Sequence, residues 1–163
     1  MNPEGLRRLL EEVSECWLAD SRADVIWVGD YEGRRGVLVR LGTGEPSTVW
    51  FQVGERTLRV EAFILPPTGR REEVFRRSLA HNTAGRRLHL ALDRRGDPVL
   101  VGRVPPREVD AGELELLLGE AHEALEVVRP ILAGVAFERE KNPRTTCRQG
   151  VCTNPCGFRW VCG

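Results

Sequence analysis

Lysine is almost missing from this chain. Lys141 is the only one among 24 basic residues, so nearly all positive charge is carried by arginine. That imbalance reads first as codon bias in a GC-rich genome, and only then as a preference for the planar guanidinium that pairs with carboxylates through two parallel bonds. Net charge is missing as well, since 24 basic residues meet 24 acidic ones. Such a balance excludes a whole-molecule field that would gather nucleic acid or an anionic membrane surface. No apolar run approaches the roughly 18 residues that a membrane span requires. The opening MNPEGLRRLLEE mixes acids with bases and holds no uninterrupted apolar stretch, so it does not read as a secretory signal, and a cytoplasmic location is expected. Cysteine is scarce outside one place. Cys16 stands alone, and Cys147, Cys152, Cys156 and Cys162 crowd into the last 17 residues. In a reducing compartment such a cluster reads as free thiol or metal ligand before disulfide.

What is present is globular. Apolar residues make up 41% and charged residues 29% of 163, enough for one core that buries roughly two thirds of the unfolded surface. Asn2-Pro3 starts a helix, and Leu6, Leu9, Leu10, Val13 and Trp17 recur on one face up to about Ala19. Val25–Val28 reads as a short strand followed by a turn over Gly29–Gly33. Gly36–Leu41, Thr48–Val53 and Thr57–Leu65 read as further strands. In the last of these Leu58, Val60, Ala62 and Ile64 alternate with Arg59, Glu61 and Phe63. Pro66-Pro67 ends it, and Thr68 can cap a helix lined by Val74, Phe75, Ser78 and Leu79. Leu88–Leu92 and Val99–Val104 form a hairpin around Arg94-Arg95-Gly96-Asp97, with Pro98 opening the returning strand. Asp110-Ala111-Gly112-Glu113 matches a capping box before the apolar stripe Leu114, Leu117, Leu118, Ala121, Leu125 and Val128, and Pro130 should end or kink that helix.

The order α-β-β-β(-β)-α-β-β-α, with tight turns between strands, predicts a two-layer α+β domain on an antiparallel sheet. Residues 1–138 form that single domain. Residues 139–163, where apolar periodicity stops, form a cysteine-rich tail expected to be disordered.

Reactive constellations are lacking. Ser14, Ser21, Ser47 and Ser78 have no G-x-S-x-G context, and His81, His89 and His122 read as solvated surface histidines, so no catalytic residue is assigned and the chain is not expected to be an enzyme. Asp93 and Asp97 bracket the hairpin turn but lack the alternating ligands of a calcium loop, and read as partners of nearby backbone amides. The tail spacing C-x4-C-x3-C-x5-C offers four thiolates without a C-x2-C knuckle. A zinc site on Cys147, Cys152, Cys156 and Cys162 is therefore an alternative, not the main reading, and no cofactor is expected.

Four stretches together, Thr48–Phe63 (TVWFQVGERTLRVEAF), Ser78–Asn82 (SLAHN), Ala91–Pro105 (ALDRRGDPVLVGRVP) and Glu115–Gly119 (ELLLG), resemble the YbjN-domain family in its actinobacterial type, over about Val37 to Leu132. The resemblance implies a type III secretion chaperone-like fold, dimerisation, and binding to other proteins without catalysis. The cysteine-rich tail departs from that pattern.

Function is then expected from surfaces. The leading reading is a homodimeric, non-catalytic adaptor holding an unidentified protein partner through strand edges and apolar side chains. Its candidate residues are Trp50, Arg59 and Phe63 on the strands, with Arg70, Arg71 and Arg103 on the basic surface. From Arg70 to Arg103 there are nine arginines against four acids, and from Arg107 to Glu126 seven acids against one arginine. That asymmetry suggests complementary patches. The alternative, a regulator contacting nucleic acid through the Arg70–Arg95 surface, wants aromatics interleaved with the basic residues, and only Phe75 intervenes. A zinc-binding tail module is the second alternative.

Overall fold

The computed structural model describes residues 2–84, 87–137, 151–153 and 159–161. Helix α1 (Pro3–Ala19) starts where the Asn2 side chain accepts a hydrogen bond from the Gly5 N–H at 2.7 Å, with proline in the first turn. Four strands follow, β1 (Val25–Tyr31), β2 (Arg34–Arg40), β3 (Pro46–Val53) and β4 (Leu58–Phe63). Next come α2 (Arg71–Asn82), β5 (His89–Leu92), β6 (Pro98–Val104), α3 (Ala111–Glu123) and α4 (Arg129–Ala136). The six strands make one antiparallel sheet in the order β1-β2-β3-β4-β6-β5. This is the expected α+β antiparallel architecture, with four strands in the first run.

Strand alternation divides the sheet. Val37, Val39, Val49, Phe51, Leu58, Val60, Ala62 and Leu100 point to one face and are buried beneath Leu6, Leu10, Trp17, Leu114, Leu117, Leu125 and Leu132 of the helices. Helix α1 covers β1, β2 and β3 and packs on α3, while α2 lies against β5 and α4. A buried arginine fastens α1 to this layer. Arg35 Nε donates to Ser14 Oγ at 3.0 Å, and its Nη atoms reach Glu15 at 2.6 Å and Asp30 at 3.0 Å. Ser14 is thus structural, as is Ser78, whose hydroxyl donates to the Val74 carbonyl at 2.8 Å.

The β5–β6 hairpin follows the sequence closely. Gly96 takes φ +82°, Pro98 opens β6, and Asp93 Oδ1 accepts the Arg95 and Asp97 N–H groups at 2.8 and 2.9 Å. The amide of Asp97 first, then those of Arg95 and Gly96, hold the Asp93 carboxyl below its usual range. The outer edge of β5 is closed by Asn82, which exchanges two hydrogen bonds with the Leu90 backbone at 2.8 and 2.9 Å and so mimics a neighbouring strand.

Several local expectations are corrected. Strand β1 does not stop at Val28. Glu32 and Gly33 both take positive φ, 50° and 73°, so a two-residue turn suffices and Gly29–Tyr31 belong to the strand. Leu79 is 68% exposed, not on the buried side of α2, and Thr68 ties the chain to the Ala136 carbonyl at 2.8 Å instead of capping α2 from its N-cap position, which Arg70 occupies. Pro130 does not end the third helix. Ala124–Val128 widen into a π turn, in which the Arg129 N–H bonds to the Ala124 carbonyl, and α4 continues beyond the proline. The wider turn accommodates a ring that has no N–H to donate. His122 is half-buried, with Nε2 3.1 Å from the Arg40 carbonyl oxygen.

Short strands β7 (Val151–Thr153) and β8 (Arg159–Val161) pair with each other. Cys147, Cys156 and Cys162 lie outside the described residues, and of Cys152 only its place in β7 is described. Among the described residues no helix is long and apolar enough to cross a membrane.

Candidate functional site

Among the described residues no helix lies over the second face of the sheet, and register places unusual side chains there. One row runs across all six strands as Gly29, Gly36, Trp50, Glu61, Val101 and His89. Beside it lie Trp27 opposite Leu38, Tyr31 opposite Arg34, Gln52 opposite Arg59, Arg59 opposite Arg103, and Phe63 opposite Val99. Trp27, Tyr31 and Phe63 are 44%, 57% and 49% exposed. These are large aromatic side chains left open on the surface of the sheet.

Two glycines shape the aromatic half. A Cβ at Gly29 would come within 2.3 Å of the Trp27 ring, and one at Gly36 within 2.8 Å of the Trp50 ring and 3.1 Å of the Trp27 ring. Both indoles therefore lie down over bare backbone, which only a residue without a side chain permits. The Arg34 guanidinium sits 4.8 Å from the centre of the Trp50 ring, a cation–π contact, and the Tyr31 ring is 6.2 Å from it at 49°. The result is a packed aromatic platform with an arginine on it.

The other half is aliphatic and basic. Arg59, His89, Ala91, Val99, Val101 and Arg103 line a shallow cleft of about 450 Å³. Arg59 forms an ion pair with Glu61, while its Nε is buried without a hydrogen-bond partner. Of the residues singled out by sequence, Trp50, Arg59, Phe63 and Arg103 converge on this face. Arg70 and Arg71 instead belong to the helix layer at the start of α2. Trp27, Tyr31, Arg34 and the two glycines were missed. Their signal was the period-two spacing Trp27, Gly29, Tyr31, hidden once residues 29–33 were read as a turn.

The helix layer spends its charges internally. Arg76 and Arg77 both bond Glu73, whose carboxyl is lowered to about 2 by those two guanidinium groups. Arg87 bonds Glu113 at 2.6 Å, and Glu120 accepts the Arg87 and Leu88 backbone N–H groups at 3.1 and 3.2 Å. The basic and acidic segments thus meet within one chain. Among the described residues no three His, Cys, Asp or Glu side chains converge to hold a metal.

No family model matches the chain. Proteins of Mycobacterium bovis and Mycobacterium tuberculosis, both described only as uncharacterised, are 39% identical to it over 75 residues, and one of Mycobacterium leprae is 37% identical. Each match covers 45% of this chain and 41% of the relative, so the chain spans about two fifths of the length of the curated relatives it matches. Among solved structures, the heterodimeric ExoU–SpcU complex from the type III secretion system of Pseudomonas aeruginosa is similar over 76% of this chain and 98% of that one. That similarity has 22% identity and a TM-score of 0.38.

Proposed function

We propose that this chain is a non-catalytic, protein-binding adaptor of the YbjN kind, acting in the cytoplasm as a homodimer and holding its partner on the open face of the sheet. The exposure of Trp27, Tyr31 and Phe63 on a helix-free face carries this reading. An isolated domain gains nothing from keeping three aromatics half in water, whereas a binding surface uses them as anchors.

Nucleic-acid contact through the Arg70–Arg95 surface is less favoured, because Arg76, Arg77 and Arg87 are already committed to Glu73, Glu113 and Glu120. The zinc-binding alternative falls largely outside the described residues.

A photo-crosslinking residue placed at Tyr31 or Phe63, with a control at Leu79 on the helix side, tests the adaptor reading in cells. Adducts to other proteins from positions 31 and 63, with none from 79, are expected. Native mass should be twice the 18.3 kDa of one chain. Adducts only from position 79, or a monomeric mass, would count against the corresponding half of the proposal.

A further inference from the structure

We infer that the occupant of the open face is an extended, acidic peptide segment carrying aromatic side chains. The inference rests on the protein-binding reading and specifies the chemistry of the partner. Charge is the first ground. Register places Arg34, Arg40, Arg59 and Arg103 on this face; Glu61 pairs with Arg59, the turn residue Glu32 pairs with Arg34 and Asp93 lines the cleft, which leaves Arg40 and Arg103 without an ion pair among the described residues. The chain is neutral as a whole, so this surplus is a local property that carboxylates would complement.

The face has two textures, and both suit a peptide. Rings can stack on Trp27 and Tyr31, with Arg34 at hand above Trp50 to meet a neighbouring carboxylate. Side chains on one side of an extended chain recur every two residues, roughly 7 Å apart. A peptide crossing the sheet can therefore set one ring on the platform and another in the cleft beside Val99 and Val101, with acids between them facing Arg59 and Arg103.

The competing occupants fit less well. A second copy docking face to face would set one arginine-bearing surface against its twin, since a two-fold interface pairs the same patch with itself. A single strand of nucleic acid brings a phosphate at every nucleotide, yet the middle row of this face holds Glu61, and half of its apolar surface is aliphatic and offers no ring for a base.

The test uses the full chain and fluorescence anisotropy with four labelled probes: a random glutamate–tyrosine copolymer, polyglutamate, a lysine–tyrosine copolymer, and an oligothymidylate of about 15 nucleotides. The glutamate–tyrosine copolymer should bind best, and its affinity should fall at least about fivefold when salt is raised from roughly 0.05 to 0.3 M. Trp27→Ala should weaken it at least about fivefold, consistent with an aromatic anchor. Arg103→Gln, an exposed change that leaves the core untouched, should weaken it about two- to fivefold with an unaltered melting temperature. Equal or tighter binding of the lysine–tyrosine copolymer would overturn the acidic specificity while leaving the protein-binding reading standing. Preference for oligothymidylate would overturn both. Binding of no probe, or affinities that Arg103→Gln leaves unchanged, would also overturn the inference.

Discussion

One sheet presents two faces built from the same six strands, and they differ in what they ask of a side chain. The covered face holds Val37, Val49, Phe51, Leu58 and Val60, all shut away from water under the helices. The open face holds Trp27, Tyr31, Trp50 and Phe63 interleaved with arginines. Buried apolar packing is concentrated on the first, and exposed aromatics and arginines on the second. Even the glycines divide this way. Gly102 on the covered side leaves room for the Leu88 side chain and the Arg87 carbonyl, whereas Gly36 on the open side leaves room for two indoles.

The comparison breaks most sharply at Phe51. It is fully buried and packs 6.2 Å from the Trp17 ring. Phe51→Ala should cost about 3–5 kcal/mol in urea unfolding, from lost transfer energy and the cavity left behind. A loss below about 1 kcal/mol would mean that the helix layer does not close over this face as described.

Gly102→Ala comes next. Its Cβ would meet the Arg87 carbonyl oxygen at 3.0 Å and Leu88 at 2.4 Å, so backbone must move, and about 1–3 kcal/mol of destabilisation is expected. Gly36→Ala should cost less, about 1 kcal/mol, because the Trp50 and Trp27 rings can swing toward water. Its readout is optical. Tryptophan emission should shift as the indoles lift from the strand, and a silent spectrum would argue that they do not lie over Gly36.

The smallest effect concerns Glu73 on the helix layer, whose carboxyl is held at about 2 against an ordinary 4.5 by hydrogen bonds from Arg76 and then Arg77. A carboxylate with a lowered folded value stabilises the fold above its ordinary range and loses that contribution as pH falls from about 4.5 toward 2. The group is half-buried and open to solvent on one side, so the loss should be slight and should shrink further in salt. Carbon-detected NMR titration of Glu73 should show the lowered midpoint, and Arg76→Gln should raise it. A midpoint near 4.5 in the unaltered protein would remove this ion-pair cluster from the account.

Much of the scaffold was legible. The β5–β6 hairpin could be read from Gly96, Pro98 and Asp93 because each of those residues acts on its own backbone or its near neighbours. Alternation in β4 likewise separated Leu58, Val60 and Ala62 from Arg59, Glu61 and Phe63, and the structure buries the former. Where a residue's role depended on a distant element the reading slipped. His122 looked solvated but lies beside the β2 backbone, and Leu79 looked like core but faces water, since nothing in the local pattern reveals which helix turns are covered.

The open face shows the same limit more plainly. Trp50, Arg59, Phe63 and Arg103 were named from strands, yet their convergence with Trp27, Tyr31 and Arg34 was not. Those side chains come from five separate stretches and share a surface only through cross-strand register. The turn at Glu32-Gly33 decided the matter. By using two residues instead of five it returned Gly29 and Tyr31 to the strand and lined up the aromatic row.

By itself the sequence determined the element order, the alternation that gives each strand a dry and a wet side, and the turns that make the sheet antiparallel. These are short-range consequences of backbone preference and hydrophobic period. Only the tertiary structure decided that the helices cover one face and, among the described residues, leave the other open, that two glycines lie beneath the indoles, and that arginines from different strands share that face. Those facts depend on which strand neighbours which, and register is a property of the assembled sheet.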